Sequence, residues 1–583
     1  MRYLLFSIIL GCVQVICCVL ANEQTLNIKS IVKFVRDSFP EPVFIMSILY
    51  LVKVYCNYRI ARWLIRLLGL LYIVVFFSEC YYYSISGEWI SLLALANLNQ
   101  AYLLVDMKYL PVLLVIIAFL LFYLFCIDFK EYSKPTQKFL AVIIILMITS
   151  FGTILYLLPK KVVPLSSLVY SYYQLYKLFA NNNVRIGYPF EKDYIYQIKF
   201  PCEKVRNDNP NIVLIFTEGT SARLIGSYNK KYETLTPNID SFAKQCMQVN
   251  NYYNHTAATF RGTFGQLASA FSMEGGWNKG GWVLAKNNPQ EIQSLKRRNV
   301  QTLPKLLNSE YNTVFLSPHK KEDPYTDLLE NLGFSTIYTL EDINHHFLND
   351  EAKLFCDSIK DEDMYLSLQR FMEKYKQNKP FFISMYTLDT HTGIGLPKGA
   401  EKFGHGPGNV ESLNSLHHLD KAFGTFWKWF THSDYKNNTI IIFTSDHAHY
   451  QDKNYVNIVK NDSDYKRVFI DRIPLLIYDP THVLPKTFDA NDRTSLDLTP
   501  TICHMLEKQG RNGFLGNSIF EKSDSKIGIA AEGITFYGIY DHRVWHENEI
   551  SASLRTEFEK KRNKVLLFYK CLKANQVLSV LAD

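Results

Sequence analysis

Asn211-Ile-Val-Leu-Ile-Phe-Thr-Glu218 and Thr439-Ile-Ile-Ile-Phe-Thr-Ser-Asp446-His447 are short apolar runs that each end in a carboxylate. Their apolar residues are continuous rather than alternating. A strand built from them has both faces buried, the habit of a parallel sheet covered by helices on both sides. Similar runs recur at Thr313–Leu316, Phe381–Tyr386 and Pro474–Tyr478. Between them lie helix-like stretches at 238–249, 301–309, 325–332, 361–376 and 412–430. Strands alternating with helices define an α/β/α domain with a mostly parallel sheet. Residues 534–540 and 564–570 read as additional antiparallel edge strands.

In such a sheet, ligands bind beyond the carboxyl ends of the strands. Glu218, His319, Asp389, His391, Asp446 and His447 all follow predicted strands, so four strand ends offer acids or imidazoles to one rim. Glu218, Asp446 and His447 form a donor set of carboxylate oxygens and an imidazole nitrogen that suits Zn²⁺ or Mn²⁺. The plainer alternative is that the two acids cap helices. A hydroxyl nucleophile is offered by His255-Thr-Ala-Ala-Thr259-Phe-Arg-Gly-Thr263, where Thr256, Thr259 and Thr263 are equivalent on chemistry alone. Arg223 is a candidate to hold phosphoryl oxygens in a bidentate grip, and Arg261 is a further substrate-binding candidate whose alternative is a solvent-facing position. His391, His319, Asp389 and His449 are candidates for substrate binding, His391 and His319 also for protonating a leaving oxygen. Trp277, in the Gly-rich stretch Met273–Lys279, is a candidate contact for a headgroup or glycan. His405, His417 and His418 carry little weight, because Asp420 offers His417 a surface partner on one helix. The stretch Asp492–Thr501 reads as the cap and start of a buried helix.

Outward from this domain, the composition changes sharply. The chain has 583 residues, and its long apolar runs lie before residue 160. Five of them, at 3–21, 41–57, 62–80, 108–127 and 138–158, predict membrane-spanning helices. A cleaved signal peptide is the rival for 3–21. Segment 86–105, studded with Asn97, Asn99 and Gln100, reads as lying along the interface. Arg59, Arg62 and Arg66, and Lys130, Lys134 and Lys138, belong inside under the positive-inside rule, which puts the α/β domain outside. The expected division is a transmembrane domain over 1–158, an extracytoplasmic connector over 159–209 and a catalytic domain over 210–583. The net charge of +8 without a Lys/Arg stripe excludes a nucleic-acid binder. The 11 cysteines include no C-x-x-C and form no disulfide framework.

Several local motifs together resemble a known family. These are Asn211–Glu218, Leu235-Thr-Pro-Asn-Ile-Asp240, Thr259-Phe-Arg-Gly262, Thr444-Ser-Asp-His447, Ile473–Tyr478 and Asp497–Ile502. They are similar to the membrane-bound phosphoethanolamine and phosphoglycerol transferases, the lipoteichoic acid synthase-like group of the alkaline phosphatase/sulfatase superfamily. The resemblance implies a bundle of about five transmembrane helices followed by an alkaline-phosphatase/sulfatase-like domain. It singles out Thr259 as nucleophile and fourth metal ligand. It implies a phospholipid donor, phosphatidylglycerol or phosphatidylethanolamine, a glycan or lipid acceptor, and a bacterial inner membrane with the catalytic domain in the periplasm. Thr387-Leu-Asp-Thr-His391 resembles the glucan phosphoglycerol transferases, which favours phosphoglycerol, whereas Glu218-Gly-Thr-Ser-Ala-Arg223 leans towards the phosphoethanolamine branch. A sulfatase-like hydrolase is the further alternative. Ala448 stands where the family has glycine, and the paired cysteines of the phosphoethanolamine branch are absent.

Overall fold

The apolar runs form a sheet whose two faces are both buried. A computed structural model describes residues 2–21, 38–55, 59–86, 192–194, 210–272, 301–400, 402–403, 410–523, 525–532 and 535–573. Eight strands form the main sheet: β1 (Asn211–Thr217), β2 (Met247–Tyr253), β3 (Asn312–Leu316), β4 (Thr336–Tyr338), β5 (Phe381–Tyr386), β6 (Thr439–Ser445), β7 (Leu475–Tyr478) and β8 (Thr487–Thr494). Their spatial order is β8-β2-β7-β6-β1-β5-β3-β4. β1 lies between β5 and β6, parallel to both, and only β7 runs antiparallel to its neighbours. Alternation along β1 sends Ile212, Leu214 and Phe216 to one core and Val213 and Ile215 to the other. Helices α4 (Pro237–Ala243), α6 (Asp361–Lys374) and α7 (Glu411–His432) contribute to the second core. Helices α5 (Thr259–Ala268), α8 (Leu498–Met505) and α9 (Ala552–Lys573) contribute to the first.

Two expectations about elements are corrected. Segment 238–249 does not continue as one helix: α4 stops at Ala243 and Met247 opens β2. Segment 564–570 is helical, inside α9, where Val565, Phe568 and Tyr569 are buried at the i, i+3, i+4 spacing of a helix face. Segment 534–540 does supply a strand. It is β10 (Thr535–Tyr540), central in a separate antiparallel sheet with β9 (Gly528–Glu532) and β11 (Arg543–His546).

Residues Met1–Ala180 form a second compact unit, distinct from Asn181–Asp583. Its described helices are α1 (Arg2–Ala21), α2 (Pro40–Tyr55) and α3 (Arg59–Ser86). The expected bundle of five spans is corrected here. Among the described residues one helical segment, Trp63–Cys80 with mean hydropathy 1.8, is long and apolar enough to cross a membrane. Among the described residues, the shorter apolar helical segments are Phe6–Ile16 and Glu41–Leu51. The 16 residues of α2 reach about 24 Å, less than the roughly 30 Å of a hydrocarbon core. The stretches 86–105, 108–127 and 138–158 fall outside the described residues, apart from Ser86 at the end of α3.

Candidate metal centre and active site

Parallel pairing places Glu218 and Asp446 side by side. Thr217, the last residue of β1, is in register with Ser445, the last of β6, so the residue after each emerges on the same rim. Asp446 Oδ1 accepts the backbone N–H of Gly219 at 2.9 Å and of His447 at 2.7 Å. Gly219 has φ +49°, in the left-handed region that glycine adopts without a Cβ penalty. Its conformation lets the chain turn directly beneath His447. The His447 Nδ1–H donates to the Ala448 carbonyl at 2.7 Å, which directs Nε2 towards the carboxylates. Nε2 lies 3.5 Å from Glu218 Oε1 and 3.5 Å from Asp446 Oδ2.

α5 brings the threonine to this rim. The Thr259 hydroxyl donates to Glu218 Oε2 at 3.0 Å. Two contacts seat the helix: the Gln266 side chain donates to the carbonyls of Ser445 and Asp446, and Gly262 packs directly on the Asp446 carbonyl. A Cβ at Gly262 would stand 2.1 Å from that oxygen, so a side chain there would push Thr259 away. Ala258, just before the threonine, is held at φ 72°, a conformation that costs a non-glycine residue about 1–3 kcal/mol. Thr263, one turn on, is engaged by the Tyr325 hydroxyl, with which it shares a hydrogen bond at 3.1 Å.

The donor set fits a divalent cation. Glu218, Asp446 and His447 are buried, and one ligand atom from each lies within 4.8 Å of the others. Asp446 Oδ2 and His447 Nε2, both buried, have no hydrogen-bond partner among the described residues. Burial, and then the charge of Glu218, holds the Asp446 carboxyl well above the usual carboxylate range. Two adjacent acids and an imidazole lone pair are tolerable at such a place when a cation lies between them.

Other candidates are placed unevenly. His391 is half-buried beside the rim, with its ring 6.5 Å from that of Tyr450, which in turn lies 4.9 Å from the His447 ring. His319 stacks on Tyr386, and burial lowers its pKa. Arg261 is buried near the rim. Asp389, expected to contact substrate, is instead locked into the fold. Its carboxylate accepts the Asp361 N–H at 3.0 Å and pairs with His418 Nε2 at 3.3 Å, while Asp361 accepts the N–H groups of Leu388 and Asp389. His449 stacks on Tyr455 at 4.5 Å and pairs with Asp452. His417 bonds the Leu235 carbonyl, and Asp420 is buried where it accepts the N–H groups of Asn238 and Ile239, so the expected surface pair is corrected. Trp277 and His405 lie outside the described residues. Tyr386 was missed by the sequence reading, although its hydroxyl donates to Glu218 Oε2. It ends β5, so the strand-end rule that found Glu218 also reaches it.

Arg223 is committed elsewhere. Its Nε donates to both oxygens of Asp471 at 2.9 and 2.8 Å, and its Nη1 pairs with Asp464 at 2.8 Å. This network ties the loop after β1 to the segment before β7. Removing the cation strands Asp471, itself 2% exposed. Arg223→Leu is expected to destabilise the domain by about 3–5 kcal/mol in denaturant unfolding. A loss below about 1 kcal/mol would show that the ion pairs are dispensable.

His255, which opens the turn before α5, gives the domain an acid limb. Burial pushes its pKa down to about 3 from an ordinary 6.5. The folded chain therefore keeps it neutral while the unfolded chain takes up a proton below pH 6.5. Its contribution is fully present above pH 6.5 and is lost as pH falls, at about 1.4 kcal/mol per unit. Between pH 7 and 5 the wild type should lose about 2 kcal/mol more stability than His255→Gln in urea titrations. Parallel losses would contradict this.

An α/β fold with a buried Glu–Asp–His set at the ends of β1 and β6 defines a metal-dependent phosphoryl-transfer or hydrolytic enzyme. The family model described as Sulfatase matches residues 210–507, just over half of the chain, and the chain belongs to that family. Among solved structures it is similar to an alkaline phosphatase superfamily protein from Vibrio parahaemolyticus, at 17% identity and TM-score 0.51, covering 66% of this chain and 91% of that one. It is similar to the lipoteichoic acid synthase LtaP from Listeria monocytogenes, at 16% identity and TM-score 0.51, covering 66% and 96%. It is also similar to the integral membrane lipooligosaccharide phosphoethanolamine transferase A from Neisseria meningitidis, at 12% identity and TM-score 0.50, covering 87% and 95%. At these identities the likeness is one of fold.

Proposed function

We propose that the chain moves a phosphoethanolamine group from a membrane phospholipid to a hydroxyl of a cell-envelope glycan or lipid, by way of a covalent intermediate on Thr259. The observation that carries this reading is the Thr259 hydroxyl, 3.0 Å from Glu218 and beside Asp446 Oδ2 and His447 Nε2, which make no hydrogen bond among the described residues. Glu218, Asp446, His447 and Thr259 would hold a Zn²⁺ or Mn²⁺ ion. When bound, the ion lowers the pKa of the threonine hydroxyl and draws off charge from the phosphoryl oxygens. Thr259 Oγ1, its proton given up to solvent, attacks phosphorus as the alkoxide, and the bond to the diacylglycerol oxygen breaks; the same alkoxide is the leaving group when the acceptor displaces it. His391 protonates the diacylglycerol oxygen and later takes the proton of the acceptor hydroxyl as it displaces Thr259. Phosphoethanolamine is preferred to phosphoglycerol because the likeness to the phosphoethanolamine transferase runs along 87% of the chain, against 66% for the lipoteichoic acid synthase.

On this reading the part before residue 159 is the membrane-associated portion, 159–209 the connector and 210–583 the catalytic domain, facing outward from a bacterial inner membrane. The purified chain, supplied with headgroup-labelled phosphatidylethanolamine or phosphatidylglycerol in mixed micelles, is expected to gain label on Thr259 and release diacylglycerol, more with the former. If neither lipid labels Thr259 or yields diacylglycerol, the transfer reading is wrong. Diacylglycerol release with the headgroup passed to water alone would favour a hydrolase, the reading closest to the family's name.

A further inference from the structure

We propose that a cavity lined by Arg493 and Lys561, apart from the metal rim, binds an acidic or phosphorylated sugar of the acceptor. This rests on the transfer reading and names the chemistry that the acceptor brings to the domain. The cavity holds about 960 Å³, at the upper end of the roughly 300–1,000 Å³ of small-molecule sites. The end of β8, the segment before β9 and the helix α9 all contribute to its walls. β8 pairs with β2 as far as Asp489 and again from Arg493, with a shift of register between them. Asn491 and Asp492, at φ 51° and 62°, lie within that bulge. Bulges re-aim side chains and are common beside functional sites. Directly after this one, the Arg493 Nη1 and Nη2 donate to the carbonyls of Ser518 and Glu521. Lys561, on α9, donates to the Ser525 hydroxyl and the Ile527 carbonyl. Both cations are half-buried, and neither pairs with a carboxylate among the described residues. Their partners are neutral oxygens, and each has N–H groups beyond those it donates.

The acids of the cavity are placed differently. Asp492 accepts the backbone N–H of His542 at 3.0 Å and its Nδ1–H at 2.9 Å, and Asp497 accepts the Asn517 N–H at 2.8 Å. The fold meets those two charges with donors of its own, and it meets the two cations with no acid. Exposed Lys522, Lys526 and Lys564 add charge of the same sign. Glu521 and Asp541 also line the space, and Phe488 and Phe520 supply apolar wall, their rings 5.4 Å apart. Cations for an oxyanion, carboxylates for hydroxyls and aromatic faces for C–H surface suit a sugar that carries an acid, rather than a bare anion or an acyl chain. The position suits an acceptor. β8 is parallel to β1 and four strands away, so its carboxyl end stands on the same rim as Glu218, about 19 Å along the sheet. An extended acceptor can thus be bound through one part while its hydroxyl reacts at another.

The test is titration calorimetry on the full chain in detergent, with chelator present so that the metal rim attracts no anion. The probes are mannose 6-phosphate, glucuronate and glucose. At least one of the two anionic sugars is expected to saturate one site per chain, with glucose at least about tenfold weaker. The tighter of the two identifies the anion as phosphate or carboxylate, and its binding should weaken as salt is raised. Lys561→Met and Arg493→Met should each raise its Kd at least about tenfold, and Lys561→Arg should restore most of the affinity. A second measurement needs no variant. Reductive methylation of Lys561 in the wild type, read by mass spectrometry, should slow several-fold when the sugar is present. Absence of saturation by either anionic sugar, wild-type affinity in both methionine variants, or an unchanged methylation rate would overturn the proposal. A chain that gains no label on Thr259 from either lipid would defeat the transfer reading, while sugar binding to the metal-free chain would still decide the role of the cavity.

Discussion

Thr259→Ala is expected to lower turnover by at least ~10⁴-fold, with the substrate affinity of the chain little changed. The hydroxyl is the atom that forms the new bond to phosphorus, so its loss removes a step rather than weakening one. Thr259→Ser should recover a substantial part of the rate, because it restores an oxygen at the same place beside Glu218 Oε2. The alanine change should leave the fold intact, since Gly262 and Gln266 seat α5 independently of the threonine. Phosphodiester turnover, read alongside the far-ultraviolet circular dichroism of each variant, measures this. An alanine variant within tenfold of the wild type would mean that water or another side chain attacks directly.

Asp446→Asn should produce two effects of opposite sign. Metal content is expected to fall from one ion per chain to nearly none, because a neutral amide is a poor replacement for a carboxylate ligand. The metal-free variant should nevertheless be more stable than the metal-free wild type, by about 1–3 kcal/mol. The asparagine oxygen keeps the bonds from the Gly219 and His447 N–H groups, and its NH₂ takes the place of an oxygen that makes no hydrogen bond among the described residues. It also ends the repulsion from Glu218 that holds Asp446 well above the usual carboxylate range, after burial itself. Inductively coupled plasma mass spectrometry and urea unfolding with and without chelator measure the two effects. A variant that is destabilised in chelator would indicate that the carboxylate is structural.

The rim was legible because a strand reveals itself locally. A run such as Ile212–Phe216 announces a strand buried on both faces, and the residue after it must stand at the carboxyl edge. That logic placed Glu218 and Asp446 before any pairing was known, and the register of Thr217 with Ser445 brings them together. What was not legible depends on partners far away in the chain. Nothing around Arg223 announces Asp471, 248 positions downstream, which takes its guanidinium. Asp389 carries the same strand-end signal as Glu218, yet Asp361 on α6 and His418 on α7 draw it into the fold. The error over 564–570 has a different origin. A short apolar run is ambiguous between strand and helix, and the helical spacing of Val565, Phe568 and Tyr569 is what decided it. In the part before residue 159, one helical segment among the described residues, Trp63–Cys80, is long and apolar enough to cross a membrane, and the runs 108–127 and 138–158 lie outside them.

The account stands on four side chains meeting around one ion. An anomalous difference map from crystals of the full chain grown with zinc or manganese tests this directly. One strong peak is expected, bonded to a Glu218 oxygen, Asp446 Oδ2, His447 Nε2 and Thr259 Oγ1 at about 2.0–2.2 Å. A peak at another site, or a Thr259 hydroxyl more than about 4 Å from the ion, would contradict it.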